Sequence, residues 1–303
     1  MDKFINYFFT LLFISSLLSS CAQEETAENY DKAELRIDAS VEGSTTRAVK
    51  NTFVVGDELG IYTTYGSLEL PYFGVPTNAK SVYNGTIWVS DPVYLTGRLA
   101  SIFAYSPYTA SAGDGKAIPI ESTSQTDYLY GTGDRQVNSE NASVNIEMKH
   151  ALAKVVFKIR KQDYAQNATL TGITITGTAS YPVYTQGTFN CQTGEITTSG
   201  GNGTISLTCT DLLQNDFKEL HELLVFPLSG ITTKTGDIVV SFSIQTDINT
   251  ENYKIEIPAP TLWERGNSYV YPLTLNGYGL HLNSTDISIT PWDNTLSGSG
   301  STM

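Results

Sequence analysis

The chain has 303 residues, with 31 Asp and Glu against 18 Lys and Arg and a formal net charge of -13. That length accommodates two domains of ordinary size, and the acidic balance disfavours nucleic acid and anionic membrane surfaces as partners. Charged residues are only 16% of the chain while Tyr alone numbers 18 and Thr and Ser are plentiful, the surface style of extracellular β proteins.

In chain order, Lys3 supplies a positive start and Tyr7 to Leu18 is mostly apolar, too short for a comfortable membrane span. Leu18-Ser19-Ser20-Cys21 follows, small residues before a cysteine, and reads as a lipobox. Residues 1–20 are therefore expected to be a lipoprotein signal peptide, with Cys21 the acylated residue and the membrane anchor. No later segment approaches the roughly 20 apolar residues of a membrane helix. Residues 22–33 are polar and acidic, with Glu24 and Glu25 just after the lipid, and read as a tether. Then Leu35, Ile37, Ala39 and Val41 alternate with polar residues, the period of a half-buried strand. A polar stretch containing Arg47 and Ala48 follows.

From there the chain reads as strand, turn, strand. Strands are predicted over Asp57–Tyr65, Ile87–Val89, Leu99–Tyr105, Tyr128–Tyr130 and Val144–Met148. Asn84-Gly85, Ser106-Pro107, Asp114-Gly115 and Gly131-Thr132-Gly133 are the turn signals between them. A second set covers Ala153–Ile159, Leu170–Ile175, Leu223–Phe226, Ile238–Ile244, Tyr253–Ile257, Ser268–Leu275, Leu280–Leu282 and Asp286–Trp292. The best helix candidate is Asp211 to Leu223, where Leu212, Leu213, Phe217 and Leu220 can share a stripe after an Asp N-cap. About a dozen short strands argue for an all-β chain of two sandwiches. The expected division falls near Lys149-His150, giving residues 48–149 and 150–303, and the tail from Ser297 is Gly/Ser-rich.

The search for chemistry is nearly empty. His150, His221 and His281 lack metal spacing, and no P-loop, nucleophile elbow or dinucleotide fingerprint is present. No catalytic residue, metal or cofactor is assigned, and the chain is read as not an enzyme. His150 is expected to be a structural hydrogen-bonding residue. Cys191 and Cys209 either pair, as an exported chain permits, or are two small buried thiols. Trp88, Trp263 and Trp292 form a sugar platform if exposed, though packing is the favoured role for Trp263 and Trp292.

Several pieces, in order, carry a resemblance. After the lipobox and alternating strand come Thr46-Arg47-Ala48, then Val55-Gly56-Asp57-Glu58-Leu59-Gly60-Ile61-Tyr62. Met148-Lys149-His150-Ala151-Leu152-Ala153-Lys154-Val155 stands mid-chain. Trp263-Glu264-Arg265-Gly266-Asn267-Ser268-Tyr269 and Ile287-Ser288-Ile289-Thr290-Pro291-Trp292 stand toward the end. In this order the chain resembles the fimbrillin family of Bacteroidetes, pilins and fimbrillin-like lipoproteins. The resemblance implies tandem transthyretin-like β-sandwich domains and a lipid-anchored protein exposed on the outer membrane, in a fimbrium after maturation. It implies cleavage between Arg47 and Ala48 by an arginine-specific or trypsin-like protease, so that residues 21–47 hold the tether and a removable first strand. Its implied partners are other fimbrial subunits, joined by strand addition, and a host or bacterial surface ligand. Leu35 to Val41 is read as the removable strand on the resemblance more than on the spacing; the alternative is a permanent edge strand with Arg47 an ordinary loop residue. The donor-strand candidates are Leu280, Leu282, Ile287 and Ile289 with Trp292 as a bulky stop; the alternative is that they complete the chain's own sandwich. The rival functional reading is a surface glycan-binding lipoprotein.

Overall fold

Short strands separated by tight turns carry the chain from Ala33 to Pro291 in the computed structural model, which describes residues 31–42, 53–218 and 220–292. Cys21, Arg47, Ala48 and the Gly/Ser-rich tail lie outside the described residues. The first strands are β1 (Ala33–Glu34), β2 (Arg36–Val41), β3 (Glu58–Thr64), β4 (Ala79–Tyr83), β5 (Trp88–Ser90) and β6 (Tyr94–Leu95). They are followed by β7 (Ser101–Ser106), β8 (Ile118–Glu121), β9 (Leu129–Gly133) and β10 (Ser143–His150). Next come β11 (Ala153–Lys161), β12 (Ala168–Gly177), β13 (Gln186–Phe189), β14 (Ile196–Ser199), β15 (Thr204–Leu212) and β16 (Leu220–Val225). The last are β17 (Ile238–Thr246), β18 (Thr250–Glu256), β19 (Asn267–Asn276), β20 (Gly279–Leu282) and β21 (Ser288–Pro291). The fold is all β, as the alternation predicts.

A seven-stranded sheet runs β2-β10-β9-β7-β3-β4-β5, and β2, at one end, approaches β5 at the other. Its inner face holds Leu59, Ile61, Ile102, Ala104, Val144, Ile146 and Met148. Two further sheets, β16-β11-β19-β20 (with β21 also on β19) and β15-β12-β17-β18, enclose a second core. Phe157 of β11 meets Phe242 of β17 edge to face across it, with ring centroids 5.2 Å apart. A small sheet, β14-β13-β8, spans the two regions, since β8 pairs with β13 from Gln186↔Glu121 to Phe189↔Ile118. It covers the outer face of the seven-stranded sheet, where Tyr62, Phe103 and Tyr105 join Ile118, Ile120 and Phe189 in a third apolar cluster. This double coverage explains why Glu58–Thr64 and Ser101–Ser106 are continuous buried runs rather than alternations.

Two sequence expectations are corrected. Asp211–Leu223 is not a helix: β15 runs to Leu212, and β16 begins at Leu220. Leu212 is exposed while Leu213 is buried, so the apolar spacing belongs to two strands and their link rather than to one stripe. Pairing of β16 with β11, Val225↔Ala153 through Leu220↔Lys158, outweighs the local pattern. Gly131-Thr132-Gly133 is not a turn but the second half of β9. A Cβ at Gly131 would sit 2.5 Å from the Glu147 carbonyl oxygen, so this glycine permits close approach of β10.

Gly60 has the same kind of reason. Tyr105, its register partner on β7, lies across it, and a Cβ there would stand 2.0 Å from the ring. The Tyr105 hydroxyl is fixed 2.9 Å from Asn78 Oδ1 and 2.9 Å from the Thr109 carbonyl, so the ring cannot yield easily. Gly60→Ala should therefore destabilise the chain by roughly 1–3 kcal/mol in urea unfolding, as overpacking does. Gly172→Ala, whose nearest neighbour would be 3.6 Å away, is the control expected to change stability by less than about 1 kcal/mol.

Candidate assembly site

β2 is terminal in its sheet. β2 lies parallel to β10, from Arg36↔Ser143 to Val41↔Met148. Its run is fastened at both ends, with Arg36 N–H donating to the Ala142 carbonyl and Glu42 N–H to the Met148 carbonyl, each at 2.8 Å. Leu35, Ile37 and Val41 are 6%, 8% and 8% exposed and belong to the inner core, against which Ala39 also packs. Arg36, Asp38, Ser40 and Glu42 point to solvent. Burial of three such apolar side chains stabilises the sandwich by roughly 5–9 kcal/mol. The four residues singled out by alternation thus share one inward row.

The C-terminal stretch lies elsewhere. β11 occupies one edge of β19, and β20 and β21 lie end to end along the other, pairing with Leu273–Asn276 and Asn267–Val270. Leu280 is buried in the second core, Leu282 and Ile287 are partly buried against it, and Ile289 is 62% exposed. Trp292, 6% exposed, belongs instead to the third cluster.

Around Trp292 three sequence pieces far apart in the chain converge. Its ring stacks on His150, centroids 4.0 Å apart and planes 5° off parallel, and Lys154 Nζ stands 5.0 Å from the ring. Trp292 N–H donates to the Gly266 carbonyl at 2.7 Å, and Gly266 N–H to the Leu152 carbonyl at 2.9 Å. His150 Nδ1 is 2.9 Å from Asp127 Oδ1, the structural hydrogen bond expected of it. Lys154, with a side chain only 4% exposed, lies 3.6 Å from Glu222.

The remaining candidates resolve against chemistry at an open surface. Trp88, Trp263 and Trp292 are 7%, 1% and 6% exposed, so none offers a sugar platform. The Trp263 indole donates to the Tyr271 hydroxyl at 2.9 Å, which satisfies its polar edge inside the core. Cys191 and Cys209 are both free thiols and pack against different clusters, so of the two expectations the disulfide is not formed. Burial pushes the Cys191 thiol up to about 12. One grouping escaped the search for motifs: Cys209, Asp211 and His221 bring their ligand atoms within 4.8 Å of one another. The signal was a C-x-D pair facing one way on a strand, with the histidine on a strand of another sheet.

These features define a β-sandwich protein organised around strand pairing and close-packed aromatic joints. The sequence profile of the fimbrillin-like family matches residues 46–292, and the chain belongs to that family. Solved structures share its fold. One is a protein from Bacteroides uniformis provisionally named for cell adhesion, 17% identical, with a TM-score of 0.64 over 86% of this chain and 98% of that one. A second of the same description, from Bacteroides ovatus, is 17% identical with a TM-score of 0.63 over 87% and 98%. A fimbrial protein from Bacteroides vulgatus is 14% identical with a TM-score of 0.58 over 86% and 99%. No protein of curated description matches.

Trp292→Ala removes the stacking partner of His150 and the cover of Lys154 at once. It should lower the unfolding free energy by about 3–5 kcal/mol, the usual cost of deleting a buried Trp, measured by urea titration.

Proposed function

We propose that this chain is a surface fimbrial subunit, structural or accessory, which joins its neighbours by protease-triggered strand addition and supports adhesion rather than catalysis. The observation that carries the reading is β2: a terminal strand, parallel to β10, holding the core through an alternating row of Leu35, Ile37, Ala39 and Val41. Removing such a strand uncovers the β10 backbone edge and a stripe of apolar pockets, and a strand from another subunit satisfies both. Arg47, a few residues beyond Val41, is the proposed cleavage point, with Ala48 the new N-terminus. Membership of the fimbrillin-like family supports partners of the same kind and a surface location. Tandem sandwiches, over 48–149 and 150–303, are the proposed domain plan.

Brief trypsin treatment of the full chain should give a species beginning at Ala48 that then forms ladders on a gel. Arg36, whose backbone is paired in β2, should survive. Equal cutting at Arg98, Arg135 and Arg160, or a cut species that stays monomeric, would overturn the reading. The donor is proposed to be the segment of Leu280, Leu282, Ile287 and Ile289, ended by Trp292. Because Ile289 is exposed, Ile289→Asp should leave the monomer folded by circular dichroism while blocking ladders. Ladders of normal length from that variant would exclude this segment as donor.

The proposed anchor is a lipid on Cys21, holding the chain at the outer membrane surface. Cys21→Ala should abolish labelling with radioactive fatty acid; undiminished labelling would remove the anchor from the scheme.

A further inference from the structure

We propose that Cys209, Asp211 and His221 form a binding site for a zinc ion that clips the two sheets of the second core together at their open margin.

The site stands where apolar residues would be expected. Along β15 the inward row is Ile205, Leu207, Cys209 and Asp211, while Ser206, Thr208, Thr210 and Leu212 are exposed. On β16 the inward row is His221, Leu223 and Val225, and His221 is directly opposite Phe157 of the core. β15 ends one sheet and β16 ends the other, so the three side chains face each other across the seam. Leu207 and Cys209 pack against the core, and the His221 side chain is only 4% exposed.

The donor set selects the ion. Thiolate sulfur, imidazole nitrogen and carboxylate oxygen together suit zinc, which takes all three in tetrahedral geometry, and do not suit the oxygen-seeking calcium or magnesium. The distances agree. Ligands on a tetrahedral zinc ion, bonded at about 2.0–2.3 Å, lie about 3.3–3.6 Å from each other. His221 Nδ1 and Asp211 Oδ2 are 3.5 Å apart, long for a charge-assisted hydrogen bond but the length of a coordination edge. All three ligand atoms lie within 4.8 Å of one another, so modest side-chain rotation closes the shell. Cys209 and Asp211 are half-buried, which leaves the fourth position to water from the solvent side.

Binding of zinc by a thiol releases its proton to solvent as the sulfur–zinc bond forms.

The test uses the full chain, stripped of metal and titrated with zinc alone by calorimetry, and with cobalt as a spectroscopic substitute. One ion per chain is expected, with a thiolate-to-cobalt charge-transfer band and a rise in the thermal midpoint on adding zinc. The nearly isosteric Cys209→Ser should abolish the band, whereas Cys191→Ser and Cys21→Ser should keep it. Asp211→Asn should weaken zinc binding without unfolding the chain, since Asp211 is half-buried. Absence of stoichiometric binding, or binding undiminished in both Cys209→Ser and Asp211→Asn, would overturn the proposal.

Discussion

The edge of β10 is the constraint on which the seven-stranded sheet depends. Its inward residues Val144, Ile146 and Met148 form an apolar stripe, and its backbone from Ser143 to Met148 needs a partner on the side away from β9. Unpaired buried donors and acceptors there would cost about 1–3 kcal/mol each. β2 fills that need, and it does so in parallel, which a hairpin cannot. The crossover between β2 and β10 is everything from β3 to β9, so no tight turn ties the two strands. Besides its side chains and its ladder on β10, the segment is held at its start, where β1 pairs with β6 and Leu35 N–H donates to the Val93 carbonyl at 2.8 Å.

What happens at β10 is coupled to the rest through a two-residue link. His150 ends β10, and Ala153 begins β11, the strand that runs down the middle of the second core beside β19. Ala151 and Leu152 between them are wholly buried. The Gly266 and Trp292 contacts close over this link from two later parts of the chain. The far end of the strand that pairs with β2 is thereby pinned to the second core.

Alternation made much of this legible. Leu35 to Val41, Val144 to Met148 and Ile238 to Ile244 are each buried on one face and were readable for that reason. The Asp114-Gly115 turn was equally plain, because its glycine takes φ 81 and the Asp114 carboxylate accepts the Lys116 N–H. The strands missed were β1, β4, β6, β8, β13, β14 and β15, which are short or rich in Ser, Thr and Gly. Their place is set by partners far off in sequence, as β13 is by β8. The false helix at Asp211 has the same origin, since the pairing of β16 with β11 appears nowhere in the local spacing. Of the site, the placeholder row was visible because it repeats every second residue. The grouping of Cys209, Asp211 and His221 was not, because its members come from two sheets.

The energetics of the proposed donor segment are uneven along its length. In the monomer, Leu280 is spent on the second core, but Ile289 faces solvent and contributes little to its own fold. Moving that side chain into an apolar pocket gains about 1–2 kcal/mol, while ladder hydrogen bonds exchanged between strands nearly cancel. Ile287, only partly buried, has some burial still to gain. Resistance to release lies at the segment's two ends, in the burial of Leu280 and in Trp292 with its stack on His150 and its bond to Gly266. A segment that is weakly held along its strand and firmly held at its last ring is positioned against β19 without being committed to it. If this segment donates as proposed, the ring must either let go or serve as the pivot about which β21 swings, so the stack on His150 is the contact such a step would have to break or keep.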